Sequence, residues 1–68
     1  MDRNEFIRKV RRIGKQNNIK VKWNPQRGKG SHGTLYYGKN STTVKKGELG
    51  IGLIKKMLDD LGITKGFN

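Results

Sequence analysis

Ser31-His32-Gly33-Thr34-Leu35-Tyr36-Tyr37-Gly38-Lys39-Asn40-Ser41-Thr42-Thr43-Val44-Lys45 is the stretch on which the fold turns. It reads as two strands and a turn. Residues 31–37 alternate, with Leu35 and Tyr37 pointing inward and His32, Thr34 and Tyr36 outward. Gly38-Lys39-Asn40 is the turn. Residues 41–45 form the next strand, with Thr42 and Val44 on one face and Ser41, Thr43 and Lys45 on the other. A connection this short joins antiparallel neighbours.

Upstream, Pro25 to Gly30 is a loop holding a proline, two glycines and two cations. It matches no phosphate-loop pattern. Residues 19–24 alternate again, Ile19, Val21 and Trp23 against Lys20, Lys22 and Asn24, as a half-buried strand does. Lys15 to Asn18 is a polar link. Residues 2–14 read as a helix, with Asp2 and Glu5 at capping-box spacing and Phe6, Ile7, Val10 and Ile13 along one stripe. Gly14 is the expected stop.

Downstream, Lys46 to Gly50 is a glycine-bearing bend. Residues 52–61 read as a second helix, with Leu53, Ile54, Met57, Leu58 and Leu61 facing the core and Gly62 ending it. Asp59 and Asp60 sit in the last turn, where the helix dipole disfavours acids; Lys55 and Lys56, four residues earlier, offset part of that. Thr64 to Asn68 reads as a loose tail.

The order is therefore helix, three strands, helix: one α+β domain over residues 1–68. A three-stranded antiparallel sheet with one apolar face can bury it under both helices in two layers. The other face stays open. It collects Lys20, Lys22, His32, Thr34, Tyr36, Thr43 and Lys45.

Sixteen Lys and Arg against five Asp and Glu give a net charge of +11. Self-repulsion of that size calls for an anionic partner, and nucleic acid rewards dispersed cations most directly. An acidic protein would be served by the same charge. A membrane is not the expected partner: no apolar run is long enough to span one, and no basic helix carries bulky aromatic anchors. The start of the chain is too polar for a signal peptide, and there is no cysteine to staple so small a core. The cytoplasm is the expected location.

The single histidine, His32, stands at a loop-to-strand junction between glycines. Its plain alternative is an ordinary surface histidine. One histidine and five scattered carboxylates make no convergent metal-ligand set, so no cofactor is expected. Ser31 next to it has no evident orienting acid for a nucleophilic triad. RNA needs neither, because its 2′-hydroxyl is the nucleophile. The protein then supplies a base, for which a neutral imidazole serves, and positive charge for the phosphorane. Lys22, Lys29 and Lys45 are candidates for phosphate contact, and Tyr36 can stack on a base or simply cover its strand. Lys20 and Ser31 complete the candidate RNA-contacting set. Trp23 is assigned to the core. Two readings stay open from the residues alone: a ribonuclease using His32, and a non-catalytic RNA-binding module. A basic adaptor for an acidic protein is a third.

The motif Lys29-Gly30-Ser31-His32, the Thr34–Tyr37 strand, Thr43-Val44, Gly52-Leu53-Ile54 and the ending Leu58 through Gly62-Ile63 together resemble the HicA family, mRNA-interferase toxins of type II toxin–antitoxin systems. The resemblance implies a double-stranded-RNA-binding-domain-like fold. It implies ribonuclease activity through the histidine that matches His32, and neutralisation by a cognate HicB-type antitoxin. Family members often carry a second histidine or a bulky residue after the motif histidine, where this chain has Gly33, and many carry a proline and a histidine after the third strand, where it has Lys45 and Lys46.

Overall fold

The computed structural model describes residues 1–25, 32–64 and 67. Its elements run α1 (Arg3–Gln16), β1 (Val21–Pro25), β2 (His32–Tyr37), β3 (Asn40–Lys45) and α2 (Ile51–Leu61). The strands make one antiparallel sheet in the order β1-β2-β3. This is the α-β-β-β-α order that the alternating and helical spacings predict. Among the described residues no helix is long and apolar enough to cross a membrane.

Asp2 starts α1 by accepting the Glu5 backbone N–H at 2.9 Å, which satisfies one of the donors a helix leaves open at its start. Phe6, Ile7, Val10 and Ile13 are buried along one face, as the spacing requires. The expected end at Gly14 is corrected, because the helix continues to Gln16. Gly14 serves close packing instead. A Cβ there would lie 2.4 Å from Val21 Cγ2 and 2.8 Å from the Ile19 carbonyl oxygen, so only glycine lets the helix come this near β1. The reversal falls to Asn18, at φ +56°, a residue type that tolerates left-handed backbone. The Ile19 N–H then donates to the Gly14 carbonyl at 2.8 Å.

β1 is shifted from the expected 19–24: Ile19 and Lys20 lead into it and Pro25 closes it. Proline is accommodated there because β1 is an edge strand. The hairpin turn narrows to Gly38-Lys39, with Gly38 at φ +61° and Asn40 already paired to Tyr37. Ser31, expected to open the second strand, and the loop over 26–30 lie outside the described residues.

Both helices cover the same face of the sheet. At the end of α1, Asn17 Nδ2 donates to the Tyr37 hydroxyl at 3.2 Å; on α2, Asp60 accepts from the Thr42 hydroxyl at 2.9 Å. Tyr37 and Thr42 are buried positions on the inward side of their strands. Between sheet and helices lie Phe6, Val10, Ile13, Leu35, Val44, Met57 and Leu61. Trp23 is half-buried at the margin of this core. Leu49 joins it from the bend before α2, which the sequence pattern leaves without a core residue. Its N–H donates to the Met1 carbonyl at 2.8 Å, and Asp2 pairs with Glu48 in an isolated antiparallel bridge. The starts of α1 and α2 are thus tied together. Their ends also meet: Gln16, Asn17, Gly62 and Ile63 line one cavity of about 310 Å³. The helices run side by side in the same direction.

Gly62 ends α2 at φ +76°, as expected, and Asn40 at the hairpin donates through Nδ2 to the Leu61 carbonyl at 3.0 Å. Asp60 is no idle surface acid. The Thr42 hydroxyl first, and then the Lys56 ammonium 3.2 Å away, hold its carboxyl below the usual aspartate range. The loose tail is corrected at one position: Phe67 packs on Phe6 with ring centroids 5.4 Å apart, because an aromatic side chain gains by covering the exposed margin of the core. Residues 65, 66 and 68 lie outside the described set.

Candidate functional site

The pleat sends every second side chain of each strand to the uncovered face, and the register lines these up in rows. His32 stands opposite Lys45. Asn24, Thr34 and Thr43 form the middle row, and Lys22, Tyr36 and Ser41 the far one. His32, Tyr36, Lys22 and Lys45 are all exposed. Directly opposed residues bring their Cβ atoms to about 4.5–5.5 Å, so the His32 and Lys45 side chains leave the sheet side by side. None of the three strands contains an Asp or a Glu. The cationic side chains that these strands send to the open face are lysines, Lys22 and Lys45.

Behind His32 the packing is close. Its neighbour Gly33 points into the protein and is buried. A Cβ on Gly33 would meet Trp23 Cη2 at 2.5 Å, Trp23 Cζ2 at 2.7 Å and the Asn24 carbonyl oxygen at 2.9 Å. The indole thus rests on the backbone of β2 immediately after the histidine. The Arg3 guanidinium covers the same ring, 5.2 Å from its centroid. The space that a side chain at position 33 would need is filled by the tryptophan.

The sequence-derived candidates separate into two groups. His32 and Lys45 are register partners at one end of β2. Lys20, Lys22 and Tyr36 gather at the other, where with Asn24 and Gly38 they line a shallow groove of about 360 Å³. Four residues of strand, about 13 Å, divide Tyr36 from His32. Lys29 and Ser31 lie outside the described residues. Asn24 and Ser41 belong to the face and were not singled out from the sequence. Their signal was present, since Asn24 alternates in phase with Lys20 and Lys22, and Ser41 with Thr43 and Lys45.

Among the described residues, no three or more His, Cys, Asp or Glu side chains gather where they could hold a metal ion. Chemically the face offers one imidazole beside an ammonium, two threonine hydroxyls, and an aromatic ring flanked by an amide and cations. Comparison with family models, curated proteins and solved structures returns no match for this chain.

Proposed function

We propose that this chain is the toxin of a type II toxin–antitoxin system of the HicA kind, an endoribonuclease that cleaves mRNA in the cytoplasm and is inhibited by a HicB-type antitoxin. The observation that carries the reading is the pairing of an exposed His32 with Lys45 on a sheet face free of carboxylates. The Lys-Gly-Ser-His motif and the order of elements support it alongside.

In this reading His32 removes the proton of a ribose 2′-hydroxyl. The 2′-oxygen attacks the adjacent phosphorus, and the bond to the 5′-oxygen breaks. The products are a 2′,3′-cyclic phosphate and a 5′-hydroxyl, the leaving oxygen taking its proton from solvent. Lys45 balances the charge that builds on the phosphorane. The step needs no metal ion, in keeping with a face whose donors are one imidazole, amines, amides and hydroxyls.

A second reading, a non-catalytic RNA-binding module on the same face, is favoured by one observation: His32 is the chain's single imidazole. One substitution separates the two. His32→Ala removes an exposed side chain at a strand start, so stability should change by no more than roughly 0.5 kcal/mol. RNA affinity should hold, while the cleavage rate should fall by about 10²- to 10⁴-fold and growth arrest on induced expression should vanish. Melting by circular dichroism, RNA affinity and cleavage rate are read on the same two preparations. A variant that cuts RNA at the parental rate ends the catalytic assignment and leaves the binding module.

A further inference from the structure

The groove at the far end of the sheet has a composition that His32 chemistry does not require. Tyr36 exposes 38 % of its surface there, whereas its neighbour Tyr37 is buried. It stands directly opposite Lys22 and diagonally across from Asn24, within reach of both. Lys20 and Lys22 place two cations on the rim, and Gly38 leaves one end without a side chain. Among the described residues no carboxylate lines the groove, so an anion entering it meets cations and no acid there.

Each of these groups matches a part of one ligand. An exposed ring offers a stacking surface to any unstacked base. An asparagine amide carries both a donor and an acceptor, the pair needed to read a base edge. Lysines hold phosphate as point charges. We propose that the groove of Lys20, Lys22, Asn24, Tyr36 and Gly38 is a nucleobase subsite for single-stranded RNA. The base stacks on Tyr36, Asn24 hydrogen-bonds its edge, and Lys20 and Lys22 hold the flanking phosphates. The inference rests on the ribonuclease reading only in joining this subsite to His32 along one bound strand. The separation of about 13 Å then means that the base recognised is not at the broken bond but further along the chain. A duplex is excluded as the occupant, because its base faces are covered by their stacking neighbours and leave Tyr36 nothing to contact.

The test measures binding apart from cleavage. Fluorescence anisotropy is recorded with His32→Ala protein, which leaves the probe intact, and a short fluorescein-labelled single-stranded RNA of mixed sequence. A duplex of the same sequence is the second probe. Tyr36→Ala added to that background should weaken single-strand binding by about 5- to 150-fold, the range of one base–aromatic stack, and leave duplex binding unchanged. Tyr36→Phe should restore the affinity, with circular dichroism melts showing all variants folded. In protein that retains His32, Asn24→Ala should redistribute the cleaved positions along a messenger RNA, mapped by sequencing the new 5′ ends. Unchanged single-strand affinity in Tyr36→Ala, or an equal loss on the duplex, overturns the subsite. An unchanged cleavage map overturns the role of Asn24. If the protein with His32 cuts no RNA while Tyr36→Ala still loses single-strand affinity, the ribonuclease reading falls and the subsite stands. If it cuts RNA and Tyr36→Ala binds as before, the subsite falls alone.

Discussion

Gly33, the residue after His32 on β2, has no room for a side chain. The indole of Trp23 sits where a side chain at this position would project. Alanine there overpacks a site closed on the other side by the Asn24 backbone, and such insertions cost about 1–3 kcal/mol. Gly33→Ala should therefore lower the melting temperature, by about 4–8 °C for each kcal/mol in a domain of this size. Adding Trp23→Leu should recover part of the loss, since a smaller side chain leaves room. Circular dichroism melts of the three variants decide the matter, and an unchanged melt for Gly33→Ala would show that the indole moves aside at no cost. This role was not legible in the sequence. Alternation assigns Gly33 to the inner face, but which side chain covers it depends on the pairing of Pro25 with Gly33 across β1 and β2.

Between elements, the joint of β3 with α2 rests on Thr42 and Asp60. Taken alone, α2 ends badly, with two acids, Asp59 and Asp60, in its last turn where the dipole opposes them. The sheet corrects this at Asp60 by turning a buried threonine hydroxyl toward the carboxylate. The sign of the pH effect follows from the lowered pKa. A carboxyl held below its ordinary value of about 3.9 contributes stability that is fully present above that value and is lost as pH falls through the lowered one. Thr42→Val keeps the shape and removes the donor. It should melt below the parent at neutral pH, and the gap should narrow as the solution is taken down toward about pH 2. A gap that stays constant over that range would mean the carboxylate's charge plays no part. The spacing of α2 and its glycine stop were readable because both are local. Gly14 is the converse case: glycine ends a helix or lets it approach a neighbour, and the neighbour that decides, Val21, comes from another element.

Across the whole molecule, charge is sorted by layer. The five acids, Asp2, Glu5, Glu48, Asp59 and Asp60, all belong to the helices or to the segments at their starts, and none lies in a strand. The sheet face is left uniformly cationic. Lys22→Ala and Lys45→Ala should each reduce the slope of log affinity for RNA against log salt by about one unit. Arg11→Ala and Arg12→Ala, on the exposed side of α1, should leave it unchanged. If the arginine variants flatten the slope and the lysine variants do not, RNA lies on the helical side. Membership of this face was legible from the sequence, because side chains alternate with period two. Its division into a histidine end and a tyrosine end was not, since that follows from which residues pair across the strands.

The brace behind His32 has an optical consequence. Trp23 is the chain's one tryptophan, its ring laid against Gly33 and covered by a guanidinium. Indole emission depends on its surroundings, and here those surroundings are the backbone directly behind the imidazole. The protein thus carries its own fluorophore at the footing of the site. A titration followed at the emission band reports any shift of that strand in unlabelled protein, with no dye, tag or turnover.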